Sequence, residues 1–195
     1  MLLLYAIAVG VLLGLVSGGR LSALAGQRIR WWPVALGGLF FQLILFSPAV
    51  AEVIGDAGPP LYVGSTGLVL LALSVNARLP GFWLIGLGAV LNLTAIVANG
   101  GYMPASPEAL AALHGVAALP TEAYSNSAVA GAHTNLALLG DIFYLPRPFP
   151  LANVFSIGDV LIGLGGALFV ARTMHRHVPA PSLARSGQLA AAAVR

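Results

Sequence analysis

Two aspartates in the last third of the chain, Asp141 and Asp159, are the strongest candidates for chemistry. Asp141 stands among apolar residues, and Asp159 directly precedes a long apolar run. Two carboxylates held close together cannot both ionise cheaply, so the pKa of one rises and the pair can work as acid and base. The sequence therefore predicts Asp141 and Asp159 as candidate catalytic residues, without establishing that they are adjacent.

Each aspartate also has a structural explanation. Ser156 and Asp159 have the Ser-x-x-acid spacing of a capping box, in which both residues satisfy free N–H groups at a helix N-terminus. Asp141 fits equally well as a loop residue at the water interface. The structural and functional interpretations are compatible, because capping would fix Asp159 at the mouth of a helix where Asp141 could meet it.

Four further polar residues are predicted to bind a ligand beside the aspartates. Asn92 and Asn99 follow helical spacing and form a small polar stripe on one predicted helix. His133 and Asn135 interrupt a later apolar stretch. Buried amides in membrane helices usually join helices by hydrogen bonds, so a structural role is the alternative for Asn92 and for Gln42.

Several classes of site are excluded by residue type. The chain has no cysteine, which excludes disulfides, iron–sulfur clusters and thiolate metal sites. A site built from His133, Asp141 and Asp159 matches no metal-ligand spacing, so no metal and no cofactor is predicted. The basic residues follow a membrane topology rather than a patch with interleaved aromatics, so nucleic acid is not a predicted partner.

The elements that must position these residues are membrane helices. The chain has 195 residues, of which 58% are hydrophobic and only 8% charged, and its mean hydropathy is +0.92. A soluble domain carries about 25% charged residues, because its surface must be hydrated. The composition therefore excludes a soluble globular domain and predicts an all-α integral membrane protein whose main partner is the lipid bilayer.

Five segments approach the roughly 20 apolar residues that a helix needs to cross a membrane. The predicted transmembrane helices are about 2–19, 32–51, 61–77, 82–98 and 151–171, in one domain of residues 1–172. Residues 99–150 are predicted to form an extracytoplasmic cap, with a helix from Pro107 to about Ala118 and an interfacial or re-entrant helix over 128–139. Residues 173–195 are predicted to be a flexible cytoplasmic tail.

The charges give these predicted helices an orientation. Eight of the nine arginines fall on one side of the predicted membrane, and only Arg147 falls on the other. Arginine-bearing loops stay in the cytoplasm, so the N-terminus is predicted outside and the C-terminus inside. All basic residues are Arg, and Ala and Gly are abundant, which indicates a GC-rich bacterial genome and hence the bacterial cytoplasmic membrane.

The first predicted span carries Gly10, Gly14 and Gly18 at a spacing of small residues that lets helices approach closely. Packing inside the chain is the favoured interpretation. The alternative is a homo-oligomer whose seam runs through these three glycines.

Three short motifs resemble a bacterial multi-pass membrane protein family of unknown function. They are Asn-Gly-Gly-Tyr-Met-Pro at 99–104, Leu-Gly-Asp at 139–141 and Ser-Ile-Gly-Asp-Val at 156–160. The resemblance covers about residues 1–176. It implies a membrane protein but brings no activity, so no functional residue is carried over from it.

Residues 141–163 also resemble the end of lipoprotein signal peptidase, a membrane aspartyl protease. In that family an Asp is followed by Phe-Pro, an Asn and a second Asp that opens the last span, and here the same order is given by Asp141, Phe149-Pro150, Asn153 and Asp159. The spacing departs from the family, since the Asn lies six residues before the second Asp rather than three. The Asn-x-x-Asp-Arg element of the family is absent, which disfavours homology.

The leading functional hypothesis is a membrane module that is not an enzyme, and that binds a small molecule or lipid or serves as a subunit of an assembly. Its predicted site is a polar pocket at the outer leaflet, built from Asn99, His133, Asn135, Asp141 and Asp159. The alternatives are a membrane hydrolase with an aspartate dyad and a small carrier. The carrier is disfavoured because no acid or Arg falls in the middle of a predicted span.

Overall fold

The computed structural model describes residues 2–114 and 127–176, and this part of the chain is mostly helical. The α-helices are α1 (Leu2–Val16), α2 (Ser22–Ala25), α3 (Trp32–Leu45), α4 (Pro48–Ile54), α5 (Gly58–Ser74), α6 (Phe82–Ala98), α7 (Pro107–His114) and α8 (Ile157–Met174). The short strands are β1 (Met103–Ala105), β2 (Ser127–Val129), β3 (Phe143–Leu145) and β4 (Asn153–Phe155), and 3-10 helices lie at Gly55–Ala57 and Ala137–Leu139.

The five long helices α1, α3, α5, α6 and α8 form one bundle. α8 packs on α1 and α6, and α5 packs on α3 and α6. The contacts of Gly81 with Gly165 and of Gly88 with Gly158 show that α6 and α8 are antiparallel. Together with the contacts between the other helices, these contacts show that successive long helices run in alternating directions.

Polar side chains join two pairs of elements in this bundle. The Gln42 amide on α3 donates hydrogen bonds to Ser65 and Thr66 on α5, each at 3.1 Å. The buried Asn76 amide, just after α5, donates to the Arg30 carbonyl and accepts from the Arg30 N–H. Gln42 therefore has the interhelical role that buried amides usually have in apolar surroundings.

Two of the three glycines in the first helix are used for packing inside the chain. A Cβ at Gly10 would lie 2.7 Å from the Ala167 carbonyl oxygen, and one at Gly14 would lie 2.5 Å from the Met174 sulfur. Both glycines are buried against α8. Gly18 lies beyond α1 with a φ of +88°, and no atom would approach its Cβ within 4 Å.

Helix length supports fewer membrane spans than the five predicted. Among the described residues, Pro48–Ser74, taken as one helix, and Ile157–Met174 are long and apolar enough to cross a membrane. Leu2–Val16, Trp32–Leu45 and Phe82–Ala98 are apolar but shorter. The predicted span 32–51 is interrupted because Pro48 starts a new helix, and positions 151–155 of the last predicted span are a turn and β4.

The cap over α6 and α8 is not purely helical, which corrects the all-α prediction. β1 and β2 pair in parallel, with Pro104 opposite Ala128, and β3 and β4 pair antiparallel. The interfacial or re-entrant helix predicted over 128–139 is therefore wrong. In this segment Leu136 has a φ of +50° and the Gly131 N–H bonds to the Thr134 hydroxyl, so turns replace the helical hydrogen bonds.

Two predicted segments extend into residues that the structure does not describe. α7 begins at Pro107 as predicted, and the Ser106 hydroxyl caps it by accepting a hydrogen bond from the Ala109 N–H at 3.0 Å. The predicted end of this helix near Ala118 lies outside the described residues. α8 continues to Met174, and positions 177–195 of the predicted tail lie outside the described residues.

Candidate functional site

Asp159 lies in the first turn of α8, and its carboxylate caps that helix. The Asp159 N–H donates to the Ser156 Oγ at 3.0 Å, and the Ser156 N–H donates to the Asp159 Oδ2 at 3.0 Å. This reciprocal pair is the predicted capping box, and it satisfies two N–H groups that the helix leaves free. Asp159 is therefore held in one orientation.

Asn92 on α6 completes a closed set of hydrogen bonds with these two residues. The Asn92 Nδ2 donates to the Asp159 Oδ1 at 3.0 Å, and the Ser156 Oγ donates to the Asn92 Oδ1 at 2.8 Å. The side chains come this close because Gly158 and Gly88 face each other without a Cβ. Both oxygens of the Asp159 carboxylate thus have a donor, and α6 and α8 are joined at this point.

Asp141 is positioned by its backbone rather than by its side chain. The Asp141 N–H donates to the Pro104 carbonyl at 2.8 Å, and the Ser106 N–H donates to the Asp141 carbonyl at 3.0 Å. Gly140 permits this contact, because a Cβ there would overlap the Pro104 carbonyl. The segment lies alongside β1, through a parallel bridge between Ala105 and Asp141. The Asp141 side chain is therefore not needed to hold this segment in place, and it lines the cavity below the cap.

Both aspartates line one cavity of about 410 Å³ between the cap and the helices. The cavity is lined by Leu2, Leu3, Tyr62, Asn92, Ile96, Met103, Ser127, Asp141, Asn153, Val154, Phe155, Asp159 and Ile162. Carboxylates, amides and hydroxyls are on its wall together with aliphatic and aromatic groups. A cavity with this mixture suits a ligand that has both a polar and an apolar part.

The two carboxylates differ in their electrostatic surroundings. Burial raises the pKa of Asp141 to about 7, and the nearby Asp159 carboxylate adds to the rise. Burial and a like charge both disfavour the charged form of an acid, which explains the direction of the change. Asp141 can therefore gain or lose a proton near neutral pH, while hydrogen bonds hold Asp159 in place.

The other predicted binding residues have different positions. The Asn99 Nδ2 donates to the Asn135 carbonyl at 2.8 Å, and the Asn135 N–H donates to the Asn99 Oδ1 at 2.9 Å. These two bonds fasten the segment after β2 to the end of α6. Asn99, Asn135 and the exposed His133 do not line the cavity. Of the predicted site residues, the cavity therefore brings together Asn92, Asp141 and Asp159.

Tyr62, Ser127 and Asn153 line the cavity but were not predicted as binding residues. Tyr62 comes from α5, whereas Ser127 and Asn153 each begin a strand of three residues. Strands this short leave no periodic pattern in the sequence, so no signal indicated which way their side chains would face.

Residues 27–171 match a Family of unknown function (DUF5317). The chain belongs to this family. The matched range includes the cap, Asn92 and both aspartates, but it begins after α1, which contributes Leu2 and Leu3 to the cavity. This match confirms the resemblance to a family of unknown function. No curated protein and no solved structure matches the chain.

In the described part of this DUF5317 chain, no three His, Asp or Glu residues come together in a group that could hold a metal ion. Asp141 and Asp159 share a cavity, while His133 lies elsewhere in the cap. The site therefore offers two carboxylates and several hydrogen-bonding side chains as its chemical groups.

Asp141→Asn should remove a pH dependence of stability. The folded pKa of about 7 lies above the ordinary value of 3.8, so the folded chain holds the proton more tightly and the free energy of unfolding falls as pH rises between these values. Wild type and variant should melt together near pH 3.5, below both values, and the variant should melt on the order of 10 °C higher near pH 8, above both. Thermal unfolding in detergent measures this, and identical pH profiles would contradict it.

Proposed function

We propose that the chain is an integral membrane protein in which α1, α3, α5, α6 and α8 each cross the bilayer. Large apolar side chains point outward along these helices, and the exposed fraction is 60% for Leu12, 71% for Leu43 and 59% for Trp83. An apolar exterior of this extent is expected where lipid rather than water surrounds a protein. The alternating helix directions support the same proposal.

The short helices are compatible with spanning. α1, α3 and α6 have 15, 14 and 17 residues, below the roughly 20 that a bilayer requires. A short span is accommodated when the bilayer thins locally or when flanking residues extend to the interface.

Charge supports an orientation with the cap outside the cell. Six of the seven described arginines lie at the end of the bundle opposite the cap, and Arg147 lies in the cap itself. The six come just after α1, before α3, after α5 and at the end of α8: Arg20, Arg28, Arg30, Arg78, Arg172 and Arg176. Arginine-rich ends stay cytoplasmic. The cap and its cavity would then face the outside, in the bacterial cytoplasmic membrane.

This orientation can be measured with single cysteines, since the chain has none of its own. Ala132→Cys in the cap and Ser22→Cys at the arginine end are both at exposed positions. An impermeant thiol reagent applied to intact cells should label only Ala132→Cys, and both variants should react after lysis. Labelling of Ser22→Cys in intact cells would overturn the orientation.

We propose that the cavity under the cap binds a small molecule or lipid that carries an ammonium group beside an apolar part. The observation that carries this proposal is the pair Asp141 and Asp159 on one cavity, where no described Arg or His lies on the wall. Two carboxylates away from bulk water attract a cation strongly, because the local dielectric is low. An ammonium group between them would also offset the repulsion from Asp159, which adds to the effect of burial on the pKa of Asp141.

The cavity wall supports the apolar part of this ligand as well. Leu2 and Leu3 lie on the α1 side, and Ile96 and Met103 lie deeper, where both are buried. An alkyl group placed against these side chains would leave water, which favours binding by about 25 cal/mol per Å² of apolar surface. This division of the wall favours an amphiphile over a fully polar amine.

Octylamine is a suitable probe, and octanol is its uncharged control. At pH 7.5 the amine should bind the purified protein at least about tenfold more tightly than the alcohol, because each charged hydrogen bond contributes about 1.5–3 kcal/mol. Asp141→Asn and Asp159→Asn should each weaken amine binding by about tenfold and leave alcohol binding unchanged. Titration calorimetry in detergent measures both.

Glu108→Gln is the matched control for these variants. Glu108 is an exposed acid of the same cap and does not line the cavity, so its loss removes the same charge from the same end of the protein. Amine binding should be unaffected by this change. Equal loss in Glu108→Gln, or equal binding of octanol and octylamine, would overturn the proposal.

A membrane hydrolase is the second candidate function. It is favoured by the difference between an aspartate with a pKa near 7 and a partner fixed by hydrogen bonds. Such a pair can divide the work of general acid and general base. The similarity of residues 141–163 to the end of lipoprotein signal peptidase points to a peptide with an apolar segment as substrate.

A peptide-cleavage assay distinguishes the membrane hydrolase from the ammonium-binding protein. A fluorogenic peptide with an apolar signal-like segment should be cleaved by the wild type and by Glu108→Gln, and by neither Asp→Asn variant, if the pair is catalytic. Asp159→Asn turns one of two accepting oxygens into a donor and is therefore expected to be less stable, which thermal unfolding measures. Asp141→Asn changes no residue of the helix cap, so its loss of cleavage with retained folding decides the test. Absence of cleavage by the wild type would remove the hydrolase from consideration.

A further inference from the structure

A second cavity, of about 340 Å³, lies at the opposite end of the bundle from the aspartates. It opens between the end of α1, α2 and the end of α8, and it is lined by Gly18, Arg20, Ser22, Ala23, Met174, His175 and Arg176. Two arginines and one histidine are thus on its wall, and no described acidic residue is. The cavity under the cap is instead lined by two aspartates and by no described Arg or His.

Backbone contacts bring these basic residues together from distant parts of the chain. The Arg20 N–H donates to the Met174 carbonyl at 2.8 Å, which fastens the segment after α1 to the last turn of α8. Gly19 permits the contact, because a Cβ there would lie 2.8 Å from the Met174 side chain. Arg20 and Arg176 therefore line one cavity although they are far apart in sequence.

The side chains of this cavity are partly fixed and partly available. The Arg176 Nη1 donates to the Gln27 Oε1 at 2.9 Å, and the Ser17 hydroxyl lies 2.8 Å from the His175 Nε2. Within the described residues, the guanidinium of Arg20 has no hydrogen-bond partner. An anion in the cavity would meet one guanidinium oriented by Gln27 and one whose donors have no partner among the described residues.

Helix dipoles explain only part of this arrangement. A positive side chain near a helix C-terminus is stabilised by the carbonyl groups there, and Arg172 already lies in the last turn of α8. That effect accounts for single arginines at the ends of helices. It does not account for an open cavity with two further arginines on its wall.

We propose that this cavity binds a phosphate group, carried by the headgroup of an anionic membrane lipid or by a free anion. A guanidinium binds phosphate through two parallel hydrogen bonds, and two guanidiniums neutralise its charge. Basic pockets at the cytoplasmic ends of membrane helices are where anionic headgroups bind. The site is independent of the ammonium ligand proposed for the other cavity.

Native mass spectrometry of the purified full-length chain in detergent tests the proposal. Phosphatidylglycerol should bind at least about tenfold more tightly than phosphatidylcholine with the same acyl chains. Arg20→Gln and Arg176→Gln should each weaken phosphatidylglycerol binding by about tenfold. Arg20→Lys keeps the charge but loses the paired donors, so it should weaken binding by less than Arg20→Gln.

Arg78→Gln is the matched control, because Arg78 is an exposed arginine at the same end of the bundle that does not line the cavity. It should change phosphatidylglycerol binding by less than about twofold, as expected for a screened surface charge. Equal loss in Arg78→Gln would overturn the proposal. So would equal binding of the two lipids by the wild type, which is measured whether or not the variants fold.

Competition identifies the source of the phosphate. Displacement of bound phosphatidylglycerol by millimolar inorganic phosphate would support the site and indicate a soluble anion as its occupant. Retention of the lipid under the same conditions would support the site and indicate a lipid headgroup. Both results require the two arginines of the cavity, which Arg20→Gln and Arg176→Gln check.

Discussion

The hydrogen bonds among Ser156, Asp159 and Asn92 are the interaction on which the arrangement of the site depends. They cap α8, join it to α6 and fix the orientation of the Asp159 carboxylate through the Asn92 amide and the Ser156 N–H. Because Ser156 is completely buried, its hydroxyl needs the partners that Asn92 and Asp159 provide. Asp159 thus has a structural role that also fixes its carboxylate on the cavity wall, so capping and the proposed binding are compatible explanations.

The chain separates opposite charges between the two ends of its helical bundle. The carboxylates of Asp141 and Asp159 line the cavity under the cap, and Arg20 and Arg176 line the cavity at the other end. α8 connects the two, since its first turn carries Asp159 and its last turn meets the segment of Arg20. A protein built in this way presents an anionic cavity and a cationic cavity along one helix, and each suits a ligand of the opposite charge.

Much of the helical framework could be predicted because its signals are local. The start of α6 at Phe82, its end at Ala98 and the capping box of α8 agree with the sequence, since an apolar run and a cap need only neighbouring residues. The break at Pro48 and the strands of the cap were missed. Strands of three residues carry no periodicity, and the parallel pairing of β1 with β2 depends on chain segments that meet only in the fold.

Composition and short spacing are enough to predict the apolar character of the helices, the separation of most arginines from Asp141 and Asp159, and the cap at Ser156. Which polar residues share a cavity depends on the packing of the folded chain. This packing joins Asn99 to Asn135 outside that cavity, brings Asp141 beneath the cap opposite Asp159, and places Arg20 beside Arg176. Close helix contacts at glycines and backbone hydrogen bonds between distant segments set these positions, and neither leaves a pattern in the sequence around the residue concerned.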